Sequence, residues 1–255
     1  MNSIDHAFRQ IVLELKHGSH NSDAIRLAAE LAELLHLDLL GRFMEDSDLA
    51  RLAGLPCARE FRLLESEWCD LDNPSAVSAI DLAIATARRM FMRAAASSTA
   101  PHRFEVIGAD ASSRPGHRAQ EIVAIVDDHS AGEPLISRLS LYHRDAIGTL
   151  LLPRRNARRR GSIVAIATRE DESSVMVAAQ VAASSGETLL RIPWPFDSSS
   201  PVIADARLVV VDASRLDEIL PHIATLLAGV PILVLRTNGA SAVRQGSKDA
   251  RHDAC

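Results

Sequence analysis

Lysine is almost absent from this chain: of 28 basic residues only Lys16 and Lys248 are lysines, a bias that reads as a GC-rich coding sequence and says little about function. Aromatic residues make up 4% of the 255 positions, so those few that stand outside regular elements carry weight. The three cysteines, Cys57, Cys69 and Cys255, are odd in number and lack paired short spacings, which excludes a disulfide framework and a cysteine-rich zinc site. No apolar run reaches the ~18 residues of a membrane span, and residues 1–10 hold no signal-peptide core, so the expectation is a cytoplasmic protein with no membrane partner. A net charge of -5 gives no global attraction to nucleic acid or anionic lipid. The twelve glycines include no pair spaced Gly-x2-Gly, and the chain has no Walker loop, no Gly-x-Gly-x-x-Gly, no Gly-x-Ser-x-Gly and no His-Glu-x-x-His. Phosphate-loop, dinucleotide, serine-hydrolase and zinc-protease chemistry therefore lack their minimum parts, and the expectation is a protein that is not an enzyme, with no cofactor and no metal.

What is present is an α/β pattern. Hydrophobic residues at 47% and charged residues at 24% suit a globular chain with a real core. Ile11-Val12-Leu13-Glu14-Leu15 is a β-prone run, followed by a polar loop at 16–22. Ile25, Ala28, Leu31 and Leu35 then recur at three and four, which predicts a helix over 23–36, and 38–44 reads as a second strand. A loop around Pro56, a helix over 74–96 behind Asn73 and a strand over 103–107 follow. Residues 120–128 suit either a strand or a helix, and their β-branched content favours the strand.

The pattern then repeats. A strand at 162–167, a polar loop at 168–174, a helix at 175–184 stopped by Gly186 and a strand at 188–192 reproduce the opening. Ala28-Ala29-Glu30-Leu31-Ala32 matches Ala178-Ala179-Gln180-Val181-Ala182 at a shift of 150, and the strands match at 152. The ends of the halves match as well: strands at 121–127 and 149–154 and a segment at 135–142 correspond to strands at 208–212 and 231–236 and a helix at 216–228. This predicts two doubly wound, Rossmann-like parallel-sheet halves, each with its own sheet, the second truncated. The expected divisions are 1–155, an arginine-rich linker at 156–161, a smaller unit at 162–237 and a flexible tail at 238–255.

The opening strand, the loop with Gly18-Ser19-His20, the Ala/Leu helix, the strand ending Phe43-Met44-Glu45-Asp46 and the closing Leu150-Leu151-Leu152-Pro153-Arg154 together resemble the universal stress protein family. The resemblance covers residues 9–155 well and 161–236 loosely, and Asp48-Leu49-Ala50-Arg51-Leu52-Ala53-Gly54-Leu55-Pro56-Cys57-Ala58-Arg59-Glu60 is similar to a stretch in tandem, proteobacterial-type members. It implies α/β domains with a five-stranded parallel sheet and a role in stress response. The departures concern the nucleotide. ATP-binding members carry an Asp at the end of the first strand, where this chain has Lys16, and a Gly-x2-Gly-x9-Gly-Ser/Thr loop after the fourth, where it has Asp128-His129-Ser130-Ala131-Gly132-Glu133 and, in the second half, Ala213-Ser214-Arg215. That loop holds phosphates on backbone N–H groups and requires glycine for the close approach. The resemblance thus implies the fold and withholds ATP.

Four groups of residues remain to be weighed. His17, His20 and Asp127-Asp128-His129 follow the first and fourth strands, whose loops meet at the topological switch point of a doubly wound sheet. They read as a ligand or metal pocket or, more plainly, as solvated loop ends; Lys16 either holds an anion there or pairs with Asp127 or Asp128. Arg154-Arg155-Asn156-Ala157-Arg158-Arg159-Arg160 reads as a phosphate grip or, without interleaved aromatics, as a solvated linker, so nucleic acid is not the expected partner. Cys57 and Cys69 stand at no recognised redox spacing and read as idle thiols. Trp194 and Phe196, set between prolines, either cover the edge strand at 189–192 or form a partner contact. The expected function is binding or scaffolding in stress physiology by a homo-oligomer or a pseudo-dimer within one chain, with an unidentified protein partner. The rival reading is a sensor of an adenine nucleotide or another anion, with a pocket built on Lys16, Gly18, Ser19, Phe43 and Asp127.

Overall fold

The computed structural model describes residues 8–15, 21–45, 55, 59–62, 64, 66–70, 73–108, 120–126, 146–153, 160–196, 200–226 and 229–236. Along the chain these form β1 (Gln10–Leu15), α1 (Ser22–Leu34), β2 (Asp38–Met44), β3 (Arg59–Arg62), β4 (Glu67–Asp70), α2 (Asn73–Ala95), β5 (His102–Ile107), β6 (Glu121–Val126) and β7 (Gly148–Leu152). The second half follows with β8 (Ile163–Ile166), α3 (Ser173–Ser185), β9 (Leu189–Ile192), α4 (Pro201–Ala204), β10 (Leu208–Asp212), α5 (Leu216–Leu226) and β11 (Ile232–Leu235). The segment at 135–142, the linker at 156–159 and the tail at 238–255 lie outside the described residues.

The expectation of two separate sheets is corrected. All main strands join in one nine-stranded sheet of order β5-β2-β1-β6-β7-β11-β10-β8-β9. Every pairing is parallel except β7 with β11, which is antiparallel and unites the first five strands with the last four. Both strands at this junction are wholly buried, and apolar apart from Thr149, so leaving either as a free edge would expose a row of unpaired N–H and C=O groups; pairing satisfies both rows. Leu151 lies opposite Ile232 and Leu150 opposite Leu233. These two pairs exchange under the shift of 82 residues that carries Leu150 onto Ile232. On the helical side, the Ser184 hydroxyl donates to the Leu34 carbonyl at 3.2 Å, a contact between residues 150 apart in sequence, as are the matching segments of α1 and α3.

Alternate residues of each strand face opposite layers. Ile11, Leu13, Leu39, Phe43, Ile122, Ala124, Leu150, Leu208 and Val210 pack with α1, α2 and α3 in one core. Val123, Ile125, Leu151, Val164, Val209, Val211 and Ile232 face the other core, with Ile203 of α4 and Ile219 of α5. The strands read as near-continuous apolar runs because both faces are covered, as parallel sheets require. Of the stretch 120–128, Glu121–Val126 form the strand β6, and 127–128 lie outside the described residues. Gly186 ends α3 in the left-handed conformation at φ 66°, as its position after the apolar run predicts. At Gly41 of β2 a Cβ would stand 2.6 Å from the ring of Phe91, so the missing side chain lets α2 seat its phenylalanine on the strand.

Two features differ from the sequence expectation. Residues 59–70, to which the sequence pattern assigns no element, contain the antiparallel hairpin β3–β4, apart from the main sheet, in which Phe61 faces Trp68 with centroids 5.3 Å apart. Its strands are only four residues each and rich in charge, too short for a periodic signal. The short helix α4 and the single 3-10 turn at Ala213–Arg215 were also unforeseen, each being too brief to show a 3.6-residue repeat.

Candidate functional site

In a doubly wound sheet, ligands enter at the carboxyl ends of the strands, at the point where the strand order reverses. The chain has two such places, between β1 and β6 and between β8 and β10. At the first, β1 ends at Leu15 and β6 at Val126. Lys16, His17, Gly18, Ser19, His20, Asp127, Asp128 and His129, the loop residues singled out from the sequence, lie outside the described residues. Phe43, grouped with them, is 2% exposed, stands beside Leu15 in the strand register and belongs to the helix-side core.

The second switch point is described in full, and its own side chains fill it. The loop leaving β8 turns its amides inward, and Glu172, at the N-cap of α3, accepts from the N–H groups of Thr168 at 3.0 Å and Arg169 at 2.9 Å through one carboxylate oxygen. Arg215, in the turn after β10, donates to the Thr168 hydroxyl at 2.7 Å and stands 3.7 Å from Glu172 and 3.7 Å from Glu218. Asp212, 5% exposed at the end of β10, accepts from the Ser173 hydroxyl at 2.8 Å and from the Ser214 N–H at 2.9 Å. An Asp side chain that accepts from a backbone N–H two residues on makes the Asx turn that starts the 3-10 segment.

The electrostatics follow from these bonds. The loop amides that would face an anion already hold a carboxylate, and the nearest guanidinium is committed to that carboxylate and to a hydroxyl. A phosphate entering here would meet the charge of Glu172 and would have to displace it. Ser173 spends its hydroxyl proton on Asp212, and among the described residues no imidazole completes a nucleophile–base pair with it. Beside this cluster Arg169 and Asp171 form a surface pair that holds the Asp171 carboxyl below its usual range and raises the guanidinium. Among the described residues no group of three or more His, Cys, Asp and Glu could hold a metal ion.

No family model and no curated protein matches the chain. Among solved structures, a protein described as a universal stress protein from Pseudomonas aeruginosa UCBPP-PA14 matches at 13% identity and a TM-score of 0.44, over 90% of this chain and 94% of that one. A universal stress protein from Archaeoglobus fulgidus DSM 4304 matches at 10% identity and a TM-score of 0.44, over 89% and 96%.

Trp194 and Phe196 lie together beyond β9, with ring centroids 5.2 Å apart, across a cis peptide between Trp194 and Pro195. His222 of α5 completes the group at 6.4 Å from Trp194 and 5.5 Å from Phe196. Both rings are half-buried against the core that also takes up Leu190 and Ile192. β9 is an edge strand, as the shortness of the 193–201 connection predicts.

Sequence reasoning missed one polar cluster. On the first half of the sheet Arg42 donates to Glu105 at 2.5 Å and stands 3.8 Å from Glu121, Gln10 donates to Glu121 at 2.6 Å, and Arg103 donates to Gln10 at 2.7 Å. The Arg42 and Glu121 side chains are 7% and 2% exposed. The available signal was an arginine inside the otherwise apolar run Leu39-Leu40-Gly41-Arg42-Phe43. Cys69 is a half-buried free thiol on β4, and Cys57 lies outside the described residues.

Proposed function

We propose that this chain is a universal-stress-type protein that acts in stress physiology by binding or scaffolding, without ATP and without turnover. The observation that carries the reading is the Glu172 carboxylate seated on the amides of Thr168 and Arg169, with Arg215 closing over it. This switch point spends its anion-binding groups internally. The absence of any Gly-x2-Gly spacing in the whole sequence supports the same reading for the first half. Support for the family type comes from the motifs of residues 9–155 and from the five parallel strands β5-β2-β1-β6-β7.

In this reading the two halves are related units, divided near 155–161, packed as a pseudo-dimer around the β7–β11 pair. The exchange of the Leu151–Ile232 and Leu150–Leu233 pairs under one sequence shift supports it, as does the Leu34–Ser184 contact. The chain works in the cytoplasm; no helix among the described residues is long and apolar enough to cross a membrane. Trp194, Phe196 and His222 offer a half-buried aromatic surface for a protein partner.

The test is a thermal-shift panel with ATP, ADP, AMP, cyclic nucleotides and divalent metals, because a ligand that binds only the folded state raises the melting temperature by mass action. The expected outcome is no shift with any nucleotide. A concentration-dependent rise with one adenine nucleotide overturns the reading in favour of a ligand sensor built on Lys16, Gly18, Ser19, Phe43 and Asp127.

A further inference from the structure

We infer that the groove between α1 and α2, on the helix-covered side of the sheet, binds a linear oligophosphate anion. The groove is open to solvent, measures about 850 Å³ and is lined by Arg26 and Ser22 of α1, by Thr86, Arg89 and Arg93 of α2, and by Ser97 just beyond it. Three guanidinium groups and three hydroxyls thus face one space that no carboxylate lines. Of these groups Arg26 is already engaged, its guanidinium held by Asp23 at 2.8 Å.

Arg89 and Arg93 are four residues apart, so they project from one face of α2 a single turn apart, where like charges repel and destabilise a helix. Neither has a hydrogen bond or an ion pair with any other described residue, and both are exposed. Their repulsion is therefore uncompensated within the described protein, and an anion between them would relieve it. The walls are fixed in relation to one another: Glu33 of α1 accepts from the Ser98 hydroxyl at 2.9 Å and the Thr99 N–H at 3.2 Å, tying the end of α2 to α1.

The lining selects the ligand class. Arginine forks match phosphoryl oxygens in pairs and stay charged at every working pH. The apolar floor is Met90 and Ala94, with no aromatic ring on which a nucleobase could stack, and single-stranded nucleic acids and nucleosides are held largely by such platforms. The groove follows residues 86–94 of α2 for roughly 12 Å at about 1.5 Å per residue, which suits a chain of several phosphoryl groups better than one.

The experiment is isothermal titration of the full chain with inorganic tripolyphosphate at low ionic strength without magnesium, beside orthophosphate and ATP. Tripolyphosphate should bind saturably and at least about tenfold more tightly than orthophosphate, and added salt should weaken it. Arg89→Gln with Arg93→Gln should weaken it at least about tenfold, through the loss of charge-assisted contacts, with circular dichroism and melting temperature unchanged. Arg26→Gln, on the other helix, should weaken it too, and Arg169→Gln, outside the groove, should leave it unchanged. Absence of saturable binding overturns the proposal, as does affinity that survives both the double substitution and Arg26→Gln. ATP binding more tightly than tripolyphosphate through these arginines overturns the oligophosphate assignment. ATP binding that survives the double substitution contradicts the proposed function instead, and leaves this groove to be decided by the tripolyphosphate titrations.

Discussion

Gly41 and Arg42 are neighbours on β2 that face opposite layers, and each fixes its layer by a different kind of force. Gly41 leaves the space that Phe91 fills from α2. Gly41→Ala puts a methyl group 2.6 Å from that ring, and urea denaturation should show a loss of about 1–3 kcal/mol from the overpacking. Adding Phe91→Leu should give a combined loss smaller than the sum of the two single ones, since both act on the same contact. Arg42 works through charge: it stands against Glu105 and the buried Glu121. Arg42→Ala leaves a buried carboxylate without its cation and should cost about 3–5 kcal/mol, again by urea denaturation; an unchanged midpoint would mean that the cluster is solvated.

Among the elements, α1 and α2 are held together by hydrogen bonds at one end as well as by packing. The Ser98 and Thr99 groups at the end of α2 hold the Glu33 carboxyl of α1 below its usual range, with the Thr99 side-chain hydrogen bond the largest cause. A carboxyl whose folded value is depressed stabilises the protein fully above its unfolded value and loses that contribution as pH falls through the folded one. Acidification from neutral pH through and below the ordinary carboxylate range should therefore lower the urea midpoint, and Glu33→Gln should reduce this dependence. Glu33 is exposed, so the effect is small. An equal slope in the variant would show that the bonds to Ser98 and Thr99 do not favour the ionised form.

At the same scale, α1 was legible through the long periodic face of Ile25, Ala28 and Leu31 and the end of α3 through Gly186, whereas the short run of β6 suited strand or helix alike and only its β-branched content decided for the strand. The hairpin at Arg59–Asp70 was not legible, because four-residue strands full of charge carry no period. The Arg42–Glu105 pair joins residues 63 apart, and no local pattern specifies which strands become neighbours. The β7–β11 junction was hidden for the same reason: Leu150-Leu151-Leu152 and Ile232-Leu233-Val234 each announce a buried strand, and neither announces its partner. The second switch point was half legible. The missing glycines were visible in the sequence, whereas the closure by Glu172 and Arg215 depends on loops 43 residues apart meeting in space.

For the whole molecule, the continuous sheet makes the two halves one body, and the distribution of polar groups divides its surfaces by use. The second-half switch point, where the fold would admit a nucleotide, is occupied by the chain's own carboxylate. Arg89 and Arg93, without a partner among the described residues, stand elsewhere, between α1 and α2, and half-buried aromatic rings collect beside β9. A protein that acts without a nucleotide has no ATP site at its switch points, which calorimetric titration with magnesium and ATP reads out. The predicted result is no saturable heat in the Arg89→Gln plus Arg93→Gln variant, where the groove between α1 and α2 is disarmed. Micromolar affinity retained in that variant would contradict the account, because it would require an intact phosphate cradle at a switch point.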